Sequence, residues 1–210
     1  MLLPLFQQKL TTMISIYQLK PKFQQALQPI AYSLYKKGVT ANQVTIAAIL
    51  LSLGLGLVVA FYPTQSVVWL VLPLGLLIRM ALNALDGMMA RSYNMTSNLG
   101  ELLNEMGDIL SDLFILFPFV LLSDIHPAFI ILFAVLSILN EFAGLLSKVI
   151  NGVRRYDGPM GKSDRALLLS LFALVYVFWQ EVTQYGNWIF GMACVLLILS
   201  TCIRLKKSLV

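Results

Sequence analysis

Hydrophobic residues arrive along this chain in long runs. Six stretches are apolar enough and long enough to cross a bilayer: 43–62, 67–90, 101–122, 128–150, 164–180 and 187–203. A hydrocarbon core of about 30 Å needs roughly 20 helical residues, so each run predicts one membrane-spanning helix, the fifth with the weakest signal. Ahead of them the period changes. Phe23, Ala26, Leu27, Ile30, Ala31 and Leu34 recur at three- and four-residue steps, with Lys22, Gln24, Gln25 and Gln28 on the other side. That spacing predicts an amphipathic helix from about Pro21 to Lys37, lying on the membrane or packed on the rest of the protein. The expected fold is an all-α integral membrane protein, six transmembrane helices preceded by an amphipathic interfacial helix. It forms one domain over 1–210, with 1–40 as the amphipathic region and 41–210 as the six-helix body.

Composition narrows the class. Hydrophobic residues make up 59% and charged residues 12%, whereas a soluble domain is nearer half and a quarter. Ordinary soluble enzymes, disordered regulators and secreted disulfide scaffolds are thereby excluded. Cys194 and Cys202 stand eight residues apart in one run, too far along a helix to be bridged. The opening MLLPLFQQKL lacks the basic start and cleavage site of a signal peptide.

Charge then gives orientation. Of the 15 Lys and Arg residues, 14 fall on one side of the predicted spans: Lys9, Lys20, Lys22, Lys36 and Lys37 before the first, Arg91 after the second, Lys148, Arg154, Arg155, Lys162 and Arg165 around the fourth-to-fifth connection, and Arg204, Lys206 and Lys207 at the end. The opposite connections, near 63–66, 123–127 and 181–186, hold none. By the positive-inside rule both termini are cytoplasmic. The net charge of +5 therefore reads as basic loops at a lipid surface, not as a nucleic-acid partner.

Only Arg79 lies deep inside a span, and it opens a polar stripe. Arg79, Asn83, Asp86 and Ala90 follow helical steps in the second run, and Gly100, Asn104 and Asp108 follow them in the third. Intramembrane polar groups are costly and mark function. Two antiparallel helices joined by a short turn can point these stripes at each other, forming an oxygen-rich site suited to Mg²⁺ or Mn²⁺. Soft-metal chemistry is not expected, because the cysteines are distant and the sole histidine, His126, sits on the opposite face. A transporter would also carry intramembrane charge, but inverted repeats and paired interrupted spans are missing.

Residues 83–108, NALDGMMARSYNMTSNLGELLNEMGD, resemble the CDP-alcohol phosphotransferase signature D-x2-D-G-x2-A-R-x8-G-x3-D-x3-D. Asp86, Gly87, Ala90, Arg91, Gly100 and Asp108 match in identity and spacing. Asn83 and Asn104 replace the first and third aspartates. The resemblance implies a bacterial inner-membrane enzyme of phospholipid synthesis, often homodimeric. Such an enzyme transfers the substituted phosphoryl group of a CDP-linked donor, usually CDP-diacylglycerol, to an alcohol acceptor and releases CMP. It further implies that Asp86, Asp108, Asn83 and Asn104 hold Mg²⁺ or Mn²⁺, that Asp108 is the general base, and that Gly87, Ala90, Arg91 and Gly100 border the nucleotide. The alternative is a non-catalytic relative, a lipid- or nucleotide-binding membrane scaffold, since two of four carboxylate charges are missing. Glu101 or Glu105 can replace one of them after a helix rotation.

Two further stretches fit the resemblance. Thr40-Ala-Asn-Gln-Val-Thr45 is similar to the family's T-P-N-x-x-T segment, so Asn42 and Thr45 border the nucleotide or serve a helix cap. The segment 151–165 resembles the G-K-x-x-R element. Arg154, Arg155, Lys162 and Arg165 then form a basic pocket for an acceptor phosphate or lipid head, shaped by Gly158, Pro159 and Gly161, or simply mark the cytoplasmic side. Arg79 supplies positive charge near a phosphate or pairs with Glu101, Glu105 or Glu141. Glu141 lines the cavity, pairs with Arg79 or bridges a dimer.

Overall fold

The computed structural model describes residues 16–209, with side chains from residue 23 onward. The amino-terminal segment 1–15, including Lys9 and the stretch read above for a signal peptide, lies outside the described residues, as does Val210. The described residues form seven α-helices without a strand: α1 (Ile16–Lys36), α2 (Ala41–Phe61), α3 (Val71–Ser92), α4 (Asn98–Leu116), α5 (Pro127–Asn151), α6 (Lys162–Phe178) and α7 (Gly186–Ser208). Single 3-10 turns precede α3 (Ser66–Leu70), follow α4 (Phe117–Leu121) and precede α7 (Gln180–Tyr185).

All six predicted runs fold as helices. Four of these, Ala41–Phe61, Ser66–Ser92, Pro127–Asn151 and Gln180–Ser208, are long and apolar enough to cross a membrane. The other two, α4 and α6, are those that carry chemistry. Helix α4 bears Glu101, Glu105, Asp108 and Asp112, and α6 has 17 residues, about 26 Å of helix. Boundaries moved for local reasons. The third run ends as an α-helix at Leu116 because Pro118 lacks the donor to continue it. The sixth extends to Ser208 and so carries Arg204 into the interior. The amphipathic helix starts at Ile16, before its predicted start, and runs through Pro29.

Helix α2 is the axle of the amino-terminal half. It packs against both α3 and α4, while α1 lies on α3, and Leu27, Ala31, Ala41, Val44, Leu85 and Met89 form the small core among them. Tyr35 stacks flat on Tyr93 at 4.1 Å, tying α1 to the end of α3. Two small residues set the α2–α4 crossing: a Cβ on Gly107 would stand 2.6 Å from Ile49 Cδ1, and one on Gly100 would stand 2.7 Å from Asn42 Oδ1. Close backbone approach at glycine is how helices associate where no hydrophobic drive separates them from lipid. Helix α5 pairs with α7, and α6 leans on α3. The larger core, centred on Trp69, Phe119, Phe133, Phe172 and Phe190, lies toward the end away from the basic loops. Cys194 and Cys202 are both free, as expected.

Candidate functional site

The turn that joins α3 to α4 builds the site. Asn94 takes a left-handed φ of 53° and Met95 N donates to Ala90 O at 3.0 Å, closing α3. Ser97 then caps α4 by accepting from Gly100 N at 3.0 Å. The two polar stripes consequently face one another beneath α2. Thr40 caps α2 in a reciprocal box with Gln43, which leaves Asn42 and Thr45 for other work. Thr45 Oγ1 donates to Asp86 Oδ2 at 2.8 Å, fixing that buried carboxylate, and Asn42 packs on Gly100.

Two clefts open here. The first, of about 1240 Å³, is lined by Asn42, Thr45, Asn83, Asp86, Gly87, Ala90, Arg91, Gly100 and Asn104, together with Phe23 and Gln24 of α1. Every residue expected at a nucleotide is therefore in one cavity. Gly87 leaves room beside Arg91, whose guanidinium would lie 3.3 Å from a Cβ at that position. The second cleft, of about 770 Å³, is lined by Asp108, Arg154, Tyr156, Lys162, Glu141 and Arg204, and again by Asn83 and Asn104. The two asparagines thus stand where the clefts meet, with Asp86 on one wall and Asp108 on the other. Asp86 lies within electrostatic reach of both Asp108 and Lys162.

Behind the second cleft the charges are interlocked. Lys162, at the start of α6, pairs with Asp108. Arg79 Nη2 is 2.8 Å from Asp112 Oδ1 and donates to the backbone oxygen of Asp108 at 3.3 Å. The expected partners of Arg79, Glu101, Glu105 and Glu141, are thus replaced by Asp112, one turn beyond Asp108 on the same face of α4. Glu101 pairs instead with Lys148. Arg154 Nη2 lies 2.8 Å from both Glu105 and Glu141, so the two glutamates expected as substitutes for a missing signature aspartate are each engaged by a cation, Glu101 by Lys148 and Glu105 by Arg154. Arg165, 3% exposed, binds Asp112 through Nε and Nη2, Glu141 through Nη2 and Met160 O through Nη1. Of the predicted basic pocket, Arg154 and Lys162 line the cleft, while Arg165 lies behind it against a small inner cavity and Arg155 lines neither. Glu141 pairs with arginines, although not with Arg79.

The loop that carries these groups is firmly shaped. Gly152 ends α5 at φ 77°, and Gly158 has φ 93° with Ser200 where a Cβ would stand. Arg155 N donates to Gly144 O at 3.3 Å, Ser200 Oγ to Asp157 O at 3.2 Å, and Gly161 N to Asp164 Oδ2 at 3.0 Å. Arg204, 1% exposed, joins loop to body by donating to Asp157 O at 3.1 Å and Asn140 O at 2.7 Å. Asp112, Tyr156, Ser163 and Arg204 were not legible as site residues in the sequence. Asp112 had a signal, since it continues the Asn104–Asp108 step of four.

The donor set suits a hard cation. Among the described residues no three His, Cys, Asp or Glu side chains converge on one point, and the oxygen donors at the junction are two carboxylates and two carboxamides. Oxygen donors alone fit Mg²⁺ or Mn²⁺ and exclude a thiolate or imidazole metal site.

Comparison with known proteins agrees with this arrangement. The chain is 44% identical over 196 residues to the inner membrane protein YnbA of Escherichia coli, covering 93% of this chain and 97% of that one. It is 35% identical over 100 residues to archaetidylinositol phosphate synthase of Pyrococcus horikoshii, about half of each protein. Its fold is that of the phosphatidylinositol phosphate synthase PgsA1 of Mycobacterium tuberculosis, with a TM-score of 0.71 at 20% identity over 86% of this chain and 92% of that one; that structure has CDP-DAG bound. A second PgsA1 structure, in complex with manganese and citrate, gives the same TM-score over 85% and 88%. The profile of the CDP-alcohol phosphatidyltransferase family matches residues 38–199, which include both clefts' central residues, and the chain belongs to that family.

Proposed function

We propose that this protein moves a phosphatidyl-type group from a CDP-linked donor, CDP-diacylglycerol, to an alcohol, releasing CMP in phospholipid biosynthesis. The observation that carries the reading is the junction of two clefts at Asn83 and Asn104, with Asp86 and Asp108 on opposite walls. One cleft is large enough for a nucleotide and part of a lipid, and the other for a second substrate. The bound CDP-DAG and manganese of the PgsA1 structures support the same donor and ion class here. The protein crosses a bacterial inner membrane six times with both termini cytoplasmic, as a homodimer, and 14 of 15 basic side chains on one face support that orientation.

In the first cleft Arg91 offers a forked donor to a phosphate and Thr45 holds Asp86 in place. Asp86, Asp108, Asn83 and Asn104 would hold a divalent cation, which when bound offsets the charge on the donor's diphosphate and on departing CMP. The acceptor hydroxyl enters from the second cleft. Its oxygen forms a bond to the β-phosphorus, its proton passes to the Asp108 carboxylate, and the bond from that phosphorus to the bridging oxygen breaks, the electron pair leaving with CMP. Arg154 and Lys162 line the acceptor's path, and Arg165 packs behind it. A non-catalytic scaffold is the second reading, favoured by the two asparagines and by the Lys162 ammonium already on Asp108. Purified protein given Mn²⁺, CDP-diacylglycerol and a panel of alcohols decides between them: an enzyme releases CMP, and a scaffold binds the donor without turnover.

A further inference from the structure

We infer that Arg79 is a positioning residue, a strap that holds the Asp108 turn of α4 against α3 so that Asp86 and Asp108 face one ion. The inference rests on the reading of those two carboxylates given above and extends it to a residue with no part in the transfer itself.

The two helices that carry the junction are joined by a short turn at one end, yet each packs on α2 and scarcely on the other. Backbone packing therefore leaves the spacing between their polar stripes to side chains. Among the described residues, Arg79 is the one side chain of α3 that makes a hydrogen bond or ion pair with α4. Its Nη2 lies 2.8 Å from Asp112 Oδ1 and donates to Asp108 O at 3.3 Å, so a single nitrogen grips two successive turns of α4. Arg79 shares a stripe with Asn83 and Asp86 and stands one turn, about 6 Å, from Asn83 along the helix. The grip thus lies beside the junction, on the backbone of the residue whose carboxylate must aim at the ion.

Stability alone does not account for an arginine here. Arg79 is 3% exposed, and its Nε has no hydrogen-bond partner among the described residues. A buried cation with an orphaned donor costs free energy, and apolar side chains of similar volume often serve a fold as well or better. Asp112 does not need Arg79 as a counter-charge either. Arg165 binds its other oxygen, Oδ2, through Nε at 3.0 Å and Nη2 at 2.7 Å. The Asp112 carboxylate is therefore a hub: one oxygen ties α4 to α6, and the other ties it to α3. Groups that orient the ligands of an ion must hold them to within about 0.5 Å, and their loss costs roughly 10–100-fold in metal affinity or activity.

Arg79→Met tests the strap in full-length protein in detergent. Manganese affinity is read by electron paramagnetic resonance titration, turnover by CMP release and stability by Tm. Manganese binding is expected to weaken about 10-fold and, at saturating Mn²⁺, kcat to fall about 100-fold. The KM for CDP-diacylglycerol should stay near the wild-type value, because Arg79 stands outside the first cleft. Wild-type manganese affinity and kcat in this variant overturn the inference. The double substitution Arg79→Met with Asp112→Met removes the ion pair as a unit and separates positioning from folding, also where the single variant does not fold. Its Tm is expected near the wild-type value while kcat and manganese affinity stay low; wild-type values of all three assign Arg79 a structural role and overturn the inference. A wild type that binds manganese without releasing CMP removes the transfer reading alone, and the titration then decides the strap by itself. A wild type that binds no manganese overturns both.

Discussion

The two clefts that meet at Asn83 and Asn104 are made of opposite materials. The first is walled largely by small and neutral residues with the carboxylates of Asp86 and Glu101 among them, and its arginine, Arg91, is exposed and unpaired among the described residues. The second is walled by an interlocked set of ions, Arg79–Asp112–Arg165–Glu141–Arg154–Glu105, with Lys162 on Asp108 at its mouth. An open wall with a free cation awaits charge from its ligand. A compensated wall supplies its own charge and offers shape and hydrogen bonds.

Substitutions on the two sides should break that contrast in different ways. The largest effect is expected at the junction. Asp108→Asn keeps the shape but removes the proton acceptor, so CMP release should fall by about 10³-fold, with CDP-diacylglycerol binding retained in a separate titration. In the compensated wall the loss should be structural. Arg165→Ala leaves Asp112 and Glu141 buried with one cation fewer, and unfolding free energy should drop by about 3–5 kcal/mol, read from denaturation in detergent. In the open cleft, Thr45→Val unfastens Asp86 without touching the second wall. About 1.5–3 kcal/mol for one hydrogen bond to a charged group predicts a KM for the donor raised about 10-fold or more, with a stability loss no larger than that figure. Asn83→Asp with Asn104→Asp sharpens the comparison by adding charge where the clefts meet, and manganese should bind about 10-fold more tightly, measured by electron paramagnetic resonance titration.

The smallest effect belongs to the loop surface. A hydrogen bond from Lys207 holds the Asp157 carboxyl below its ordinary range. A depressed folded value contributes stability above the unfolded pKa of about 3.9, and the contribution is lost as pH falls through the folded value. Asp157→Asn should therefore lower Tm slightly at neutral pH and not at all in strong acid, followed by thermal melts across that range.

What could be read from the residues follows from periodicity and spacing. Runs of apolar positions located all six helices of the body, four of them long and apolar enough to cross a membrane, and fixed steps of three and four placed Asp86 and Asp108 on polar stripes of neighbouring segments, because one helical turn repeats nearly every four residues. Nothing local reveals which of several arginines meets which carboxylate. Arg79 of α3 meets Asp112 of α4, a pairing set by how the helices pack and not by any local step in the sequence. Arg204 could not be read as a loop anchor for the same reason: its partners, Asn140 O and Asp157 O, are 64 and 47 residues away. The basic loop reads as an anion pocket by charge alone, and the structure adds that its Arg154 and Arg165 are held by acids of α4 and α5.

The central claim is that Asp86 and Asp108 share one ion at the meeting point of the clefts. Anomalous diffraction from crystals soaked with Mn²⁺ and CDP tests it most directly. The account predicts a manganese peak within about 2.5 Å of both carboxylates, between Asn83 and Asn104. A map with no peak there, or with manganese bound only elsewhere, would contradict it.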